Sequence, residues 1–388
     1  MSVTAAKGFV AASGAIGVKP GGAPDFALVA TTEGRPVPAA AVFTQNLAAA
    51  APVLVSREHL ALSGGRAAAV VLTSGNANAA TGAGGMTIAR SLCAAGASAL
   101  DVATHEILVA QTGLIGVPFP AGAVEMVRGV VASRSSGASA GRGAAMAIMT
   151  TDTVPKEAVA SAEGCVVGGM AKGAAMLAPN LATMLAVLTT DAEVDPVTLH
   201  GILAEAVEPT FNRLSVDGCT STNDTVVLLS SGSAGKVPLP ALRAAVEGVC
   251  SSLAQQMAAD AEGATKVATI RVTGASSDRD AHAAARKVAG SLLVKCSLNG
   301  ADPYWGRVAS ELGSAGVDFD LGRLTVRYGG IAVCRGGVGV DHDAKAVAAH
   351  VSARHVEITC DLGIGEGTGA VLTCDLDEGY IEENRGTS

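Results

Sequence analysis

Aromatic side chains are scarce: the 388 residues include one Trp, three Tyr and six Phe. A core built without large rings must be made of many small aliphatic contacts, with Gly at turns and close backbone approaches. Charged residues make up 16% against 49% hydrophobic, the reverse of a disordered composition. The net charge is -8 and no basic stretch stands out, so the electrostatic footprint of a nucleic-acid binder is missing. Long apolar runs are missing too. The most apolar stretch, 174–189, holds Pro179 and Asn180 and is too short to span a bilayer. Residues 8–18, between Lys7 and Lys19, have the length of a signal h-region but are diluted by Gly and Ser. These absences point to a soluble, cytoplasmic chain with no membrane or nucleic-acid partner.

No CxxC occurs among the eight cysteines (93, 165, 219, 250, 296, 334, 360 and 374), and no Cys/His spacing suggests zinc. Several lie in apolar, strand-like runs, Leu292 to Cys296 and Ile331 to Cys334, where a free Cys acts as a small hydrophobe. Buried, reduced thiols are expected rather than disulfides.

Short apolar runs bounded by Gly, Asn or Asp predict strands at 67–73, 106–111, 225–230, 267–273, 324–328, 355–361 and 369–375. Helical periodicity predicts helices at 86–100, 197–207, 239–261, 279–289 and 345–352. Their irregular alternation indicates an α/β protein with mixed sheets and packed helices, without the repeat of a βα barrel. The Ser/Gly-rich stretch 132–143 predicts a loop, and a composition change near 274–279 suggests a C-terminal subdomain from about 275 to 388.

Several apparent motifs lack the required context. Gly137-Ala138-Ser139-Ala140-Gly141 matches a nucleophile elbow but sits in the Ser/Gly-rich stretch. Gly168 and Gly173 have phosphate-loop spacing, but Ala174 stands where Lys is needed. Residues 365–370 resemble a dinucleotide fingerprint followed by a strand instead of a helix, so a β-turn explains the glycines better. Asp341-His342-Asp343 lacks a further ligand cluster and reads as a solvated loop.

One segment stands apart. In GGMAKGAAMLAPNLATML (168–185), glycines approach Lys172, and a Pro-Asn turn then precedes Ala182 and Thr183. On residue types alone this is a loop entering a buried helix, with Thr183 at the helix start. The segment, however, closely resembles the cleavage segment of the ornithine acetyltransferase family, the glutamate N-acetyltransferases of arginine biosynthesis. The resemblance runs along nearly the whole chain. It includes AVFTQN (41–46), SGNANAATG (74–82), QTGLIG (111–116), AIMTTDTVPK (147–156), STNDT (221–225), DAEGATK (260–266), DPYWGRV (302–308) and EEN (382–384).

That resemblance implies a self-cleaving chain with the fold of this family and of related self-processing aminopeptidases. The Thr183 hydroxyl attacks the Ala182 carbonyl, an N→O acyl shift gives an ester, and hydrolysis leaves fragments 1–182 and 183–388, which associate as a heterotetramer. A hydroxyl needs a base within reach. The freed α-amine, with a reference pKa of about 7.7–8.0, can serve as one. The Thr183 oxygen then carries acetyl from N2-acetylornithine to glutamate, with no cofactor and no metal; whether acetyl-CoA is a second donor stays open. By the same resemblance Thr112 and Gly113 form the oxyanion hole and Lys172 meets a substrate carboxylate. Glu262 suits the ornithine ammonium, either Thr150 or Thr151 supplies a pocket hydroxyl, and Asn384 and Ser388 close the pocket. The tail departs from the family pattern: it ends Asn384-Arg385-Gly386-Thr387-Ser388, one residue short and without the usual Tyr. Two rivals remain: an aminopeptidase or amidase with water as acceptor, and an unprocessed binding protein.

Overall fold

The computed structural model describes residues 2–177 and 184–386. Ala182, Thr183 and Ser388 lie outside the described residues. Two compact units divide the chain: Met1–Asn212 with Cys219–Met257, and Arg213–Gly218 with Ala258–Ser388.

The first unit holds two sheets. Phe9–Gly14, Phe26–Thr31, Ala69–Asn76 and Ile107–Leu114 form a four-stranded sheet in that order, antiparallel except for its last, parallel pair. The other sheet runs Arg66–Ala67, Val37–Phe43, Thr225–Gly235, Leu185–Ala192, Cys165–Lys172, Lys156–Ala162. Side chains alternate along each strand, and both faces of the four-stranded sheet are covered. Ala11, Val29, Leu72 and Leu108 share a core with Met170, Val187 and Val227 of the six-stranded sheet. Their neighbours Val10, Leu28, Val71 and Ile107 instead face Leu92 and Cys93 of helix Gly82–Leu100 and Val127 of helix Ala123–Val131. On the six-stranded sheet, helix Leu239–Ala259 presses so closely that a Cβ on Gly169 would lie 2.8 Å from Val249.

The second unit is a seven-stranded sheet, in the order Leu214–Ser215, Gly367–Cys374, Val267–Ala275, His355–Asp361, Thr325–Tyr328, Ile331–Arg335, Val338–Gly339. Helix Asp278–Ala289 buries Ala281, Ala284, Ala285, Val288 and Ala289 against it. Ser277 caps this helix by accepting the Asp280 N–H, acidic residues occupy its first turn, and Arg286 and Lys287 lie in its last. All three features stabilise a helix.

Four expectations need correction. The run after Thr183 is the strand Leu185–Ala192, not a helix; it is buried throughout, between a parallel and an antiparallel neighbour, and therefore reads as continuous apolar sequence. The run 292–296 is the start of helix Leu292–Asn299, capped by Ser291, and it leaves Cys296 exposed; Cys219 is exposed too, while the other six cysteines are buried and free. Within 132–143 the helix Ala138–Ala147 begins, with Ser139 exposed on it. The glycines near 367 are not only turn residues: a Cβ on Gly367 would stand 2.2 Å from the Ser277 carbonyl carbon, and one on Gly369 2.6 Å from the His282 nitrogen. They let helix Asp278–Ala289 lie directly on the strand.

Gly369→Ala should therefore destabilise the protein by on the order of 2 kcal/mol, because helix and strand must separate. An unchanged urea midpoint would show that this close approach is not a constraint.

Candidate functional site

The strand Ile107–Leu114 ends in Gln111, Thr112 and Gly113, and it runs parallel to Ala69–Asn76 with Gly113 opposite Gly75. Gly113 has φ +128°, and a Cβ on it would be 2.2 Å from the Gly75 carbonyl carbon, so only glycine fits. A buried polar network fixes this strand end. Gln111 donates to the Thr73 hydroxyl (3.1 Å) and accepts from the Asn78 amide (2.8 Å). The Asn223 amide donates to the carbonyls of Ala77 (2.6 Å) and Gln111 (2.9 Å). The segments 74–82, 111–116 and 221–225, separate in sequence, thus meet at one place. Thr112, Gly113, Met176, Ser221 and Asn223 line a small cavity there.

A carboxylate missed as a site residue in the sequence organises the next layer. Asp152 is buried and accepts from Lys156 Nζ (2.7 Å), Gly173 N–H (2.7 Å) and Thr150 N–H (3.0 Å). Lys172 Nζ lies 3.9 Å from its other oxygen. Burial pushes the Asp152 carboxyl up, but the charges of Lys172 and Lys156 and the hydrogen bonds from Lys156 and Gly173 outweigh it and hold it at about 2. Lys172, itself buried, donates to the Thr112 hydroxyl oxygen at 3.5 Å. A hydroxyl that accepts from a lysine keeps its own proton for a further acceptor. Thr112 is therefore set to donate. Of the two threonines left open, Thr150 is exposed and tied through its backbone to Asp152, and Thr151 is half-buried.

The second unremarked carboxylate is Asp224, fully buried, with Oδ1 accepting the Met184 N–H at 2.9 Å. Its Oδ2 has no hydrogen-bond partner among the described residues. Burial raises this carboxyl well above the ordinary range, against the pull of the Met184 N–H and of Lys172. Met176 lines the cavity beside Thr112, and Met184 is held one residue from Asn223. The described chain thus reaches this place from both sides of residues 178–183. Both acids lie in blocks that carry the family resemblance, AIMTTDTVPK (147–156) and STNDT (221–225), but nothing in the residue pattern marks either as buried.

Within the second unit, Asn384 follows helix Glu378–Glu383 and donates to Glu262 Oε2 (2.7 Å) and to the Tyr380 carbonyl (2.8 Å). Glu262 is half-buried and lines a cavity of about 210 Å³ with Asp217, Lys295, Asp375 and Tyr380. The pairing of Glu262 with Asn384 brings together two of the expected substrate-binding residues. Among the described residues no group of three or more His, Cys, Asp or Glu is arranged to hold a metal, and no helix is long and apolar enough to cross a membrane.

The family model described as the ArgJ family matches residues 10–386. An arginine biosynthesis bifunctional protein ArgJ from Mycolicibacterium paratuberculosis is 48% identical over 390 residues, covering 98% of this chain and 95% of that protein. The protein of the same name from Streptomyces coelicolor is 45% identical, with 99% of each chain covered. Among solved structures, ornithine acetyltransferase from Mycobacterium tuberculosis, crystallised with ornithine, is 40% identical over 46% of this chain and 94% of that one, with a TM-score of 0.41.

Asp152→Asn should cost about 3–5 kcal/mol, since it strands buried lysine charge. The folded carboxyl is depressed, so its contribution is present above the ordinary carboxylate value of about 4 and is lost as pH falls toward 2. Urea titrations from pH 5 to pH 2 should show that loss in the wild type but not in the variant. For Asp224 the sign reverses. Its raised carboxyl stabilises at low pH, and that contribution disappears as pH rises through the folded value. Asp224→Asn should flatten the alkaline side of the stability profile, and an identical slope in both proteins would contradict the assignment.

Proposed function

The chain belongs to the ArgJ family and is an acetyltransferase of arginine biosynthesis, and on that premise we propose that it cuts itself between Ala182 and Thr183 and carries acetyl on the Thr183 oxygen. The observation that best supports this reading is the Thr112–Lys172 contact beside a glycine that tolerates no side chain, lining a cavity where the chain enters and leaves residues 178–183.

In self-cleavage the Thr183 hydroxyl adds to the Ala182 carbonyl, the C–N bond breaks, and the Thr183 nitrogen takes a proton. Water then hydrolyses the ester, giving the Ala182 carboxylate and a free α-amine. In the first half-reaction that amine accepts the Thr183 hydroxyl proton while the oxygen attacks the acetyl carbonyl of N2-acetylornithine. Charge develops on the carbonyl oxygen, where the Thr112 hydroxyl and the Gly113 N–H serve as donors; loss of one such donor typically costs about 2.7–4 kcal/mol. Collapse expels ornithine, which leaves with the proton. Glutamate's amine then attacks the acetyl ester, and Thr183 recovers its proton. Lys172, as a positive charge near the acceptor's carboxylate, and the Glu262–Asn384 pair, facing the ornithine ammonium, supply recognition, with Thr150 or Thr151 and Ser388 as further contacts. The relatives' name, bifunctional protein, favours acetyl-CoA as a second acetyl donor to glutamate. Association of the two fragments as a heterotetramer completes the reading.

Thr183→Ala should remain one band on a denaturing gel and show no acetyl transfer. Processing of that variant at the same bond would remove Thr183 as the nucleophile. Thr112→Val should be processed and folded but lower kcat by about a hundredfold or more. The hydrolase alternative is separated by assaying acetylornithine with and without glutamate: initial-rate lines should be parallel, as for ping-pong transfer, whereas acetate release indifferent to glutamate would favour the hydrolase.

A further inference from the structure

Helix Asp278–Ala289 carries a second surface that includes none of the residues named above for acetyl transfer. Its buried face is the alanine-rich stripe already described. The opposite stripe presents Arg279, His282, Arg286 and Lys287, at spacings of three, four and one, along one side of the helix. With the turn at Gly290 and the start of helix Leu292–Asn299, they line a cavity of about 820 Å³, larger than the one at Glu262. That volume lies in the range of about 300–1,000 Å³ usual for small-molecule sites.

The charge balance there is lopsided in a chain of net charge -8. One carboxylate, Glu311, lines the cavity, and it is already engaged by Lys287 (3.4 Å) and by the Ser291 hydroxyl (2.9 Å). The acids at the helix start are turned to other partners: Asp278 accepts the Thr368 N–H and Asp280 the Ser277 hydroxyl. Arg279 has no ion-pair partner among the described residues. Arg286 reaches His282 Nε2 at 3.3 Å, yet its Nε is buried and has no hydrogen-bond partner among the described residues. A buried, unpartnered guanidinium donor is costly unless something supplies an acceptor, and a guanidinium fork matches phosphate oxygens. Beside this cationic wall, Leu292 and Leu293 are 67% and 59% exposed. An apolar ledge next to an anion cradle suits a ligand with a charged end and a flat or aliphatic part.

We propose that this cavity is a binding site for a phosphate-bearing small molecule of nucleotide size, with the phosphate on Arg279 and Arg286 and the apolar portion over Leu292 and Leu293. Coenzyme A and ADP carry that shared chemistry, the first as the nucleotide end of an acyl donor and the second as a free effector. Direct binding does not draw on the acetyl-transfer reading, so failure of either shows separately.

The test is calorimetric titration of the full, purified protein with coenzyme A, ADP and inorganic phosphate at low and moderate salt. Coenzyme A and ADP should bind saturably, more tightly than inorganic phosphate and more weakly as salt rises. The Arg279→Gln/Arg286→Gln double variant should bind each at least tenfold more weakly, with transfer from acetylornithine to glutamate unchanged. Arg279→Gln alone, at an exposed position, should keep the wild-type melting temperature and still lose affinity several-fold. A raised KM for acetyl-CoA in these variants would assign the cavity to the acyl donor, and an unchanged KM with lost ADP binding would assign it to a free nucleotide. Absence of saturable binding of either nucleotide at millimolar concentration, or equal affinity in wild type and variants, would overturn the proposal.

Discussion

One buried carboxylate holds the candidate site of the first unit together. Asp152 has both oxygens occupied, by Lys156, the Gly173 N–H and the Thr150 N–H, with Lys172 close behind. Removing two like-charged ammonium groups from water is expensive, and the arrangement persists only because a fully hydrogen-bonded counter-charge sits between them. From it follow the position of Lys172, the orientation of the Thr112 hydroxyl, and the course of the chain through Gly173 toward residues 178–183. The ion group is thus a positioning device for the groups around it.

The scarcity of aromatics shapes the rest. With a core of Ala, Val, Leu and Gly, layers come close enough that glycine is demanded where backbones nearly touch, as at Gly113 against Gly75 and at Gly369 against helix Asp278–Ala289. Close layers leave little room for water, so polar groups between them must satisfy one another. The Thr73–Gln111–Asn78 chain and the Asn223 bridge do this at the strand end that presents Thr112 and Gly113. A rigid strand end suits the oxyanion role proposed for Thr112 and Gly113, because donors that do not reorganise stabilise developing charge best.

How much of this was legible depends on the signal each residue carries. The strand 355–361 matches to the residue, because its apolar positions alternate and one face is open. The strands Phe9–Gly14, Phe26–Thr31 and Val37–Phe43 escaped notice: rich in alanine and mostly covered, they show neither alternation nor β-branched enrichment. The runs after 183 and after 291 were each assigned the wrong element, since a short apolar run does not discriminate helix from strand and tertiary packing decided. Resemblance pointed to Thr112, Gly113, Lys172, Glu262 and Asn384 as site residues; the fold pairs Thr112 with Lys172 in the first unit and Glu262 with Asn384 in the second. Asp152 and Asp224 stayed hidden because an acid beside threonine in a loop looks solvated, and only the fold reveals that each is buried.

The proposed function turns on the oxygen of Thr183. The most direct measurement is intact-mass analysis with N-terminal sequencing of the purified protein, before and after a brief mixing with N2-acetylornithine in the absence of glutamate. Two fragments are expected, the second beginning at Thr183, with a transient gain of one acetyl group on that second fragment that glutamate discharges. A single uncut chain, a cut at another bond, or an acetyl group placed elsewhere than on the Thr183 oxygen would contradict it.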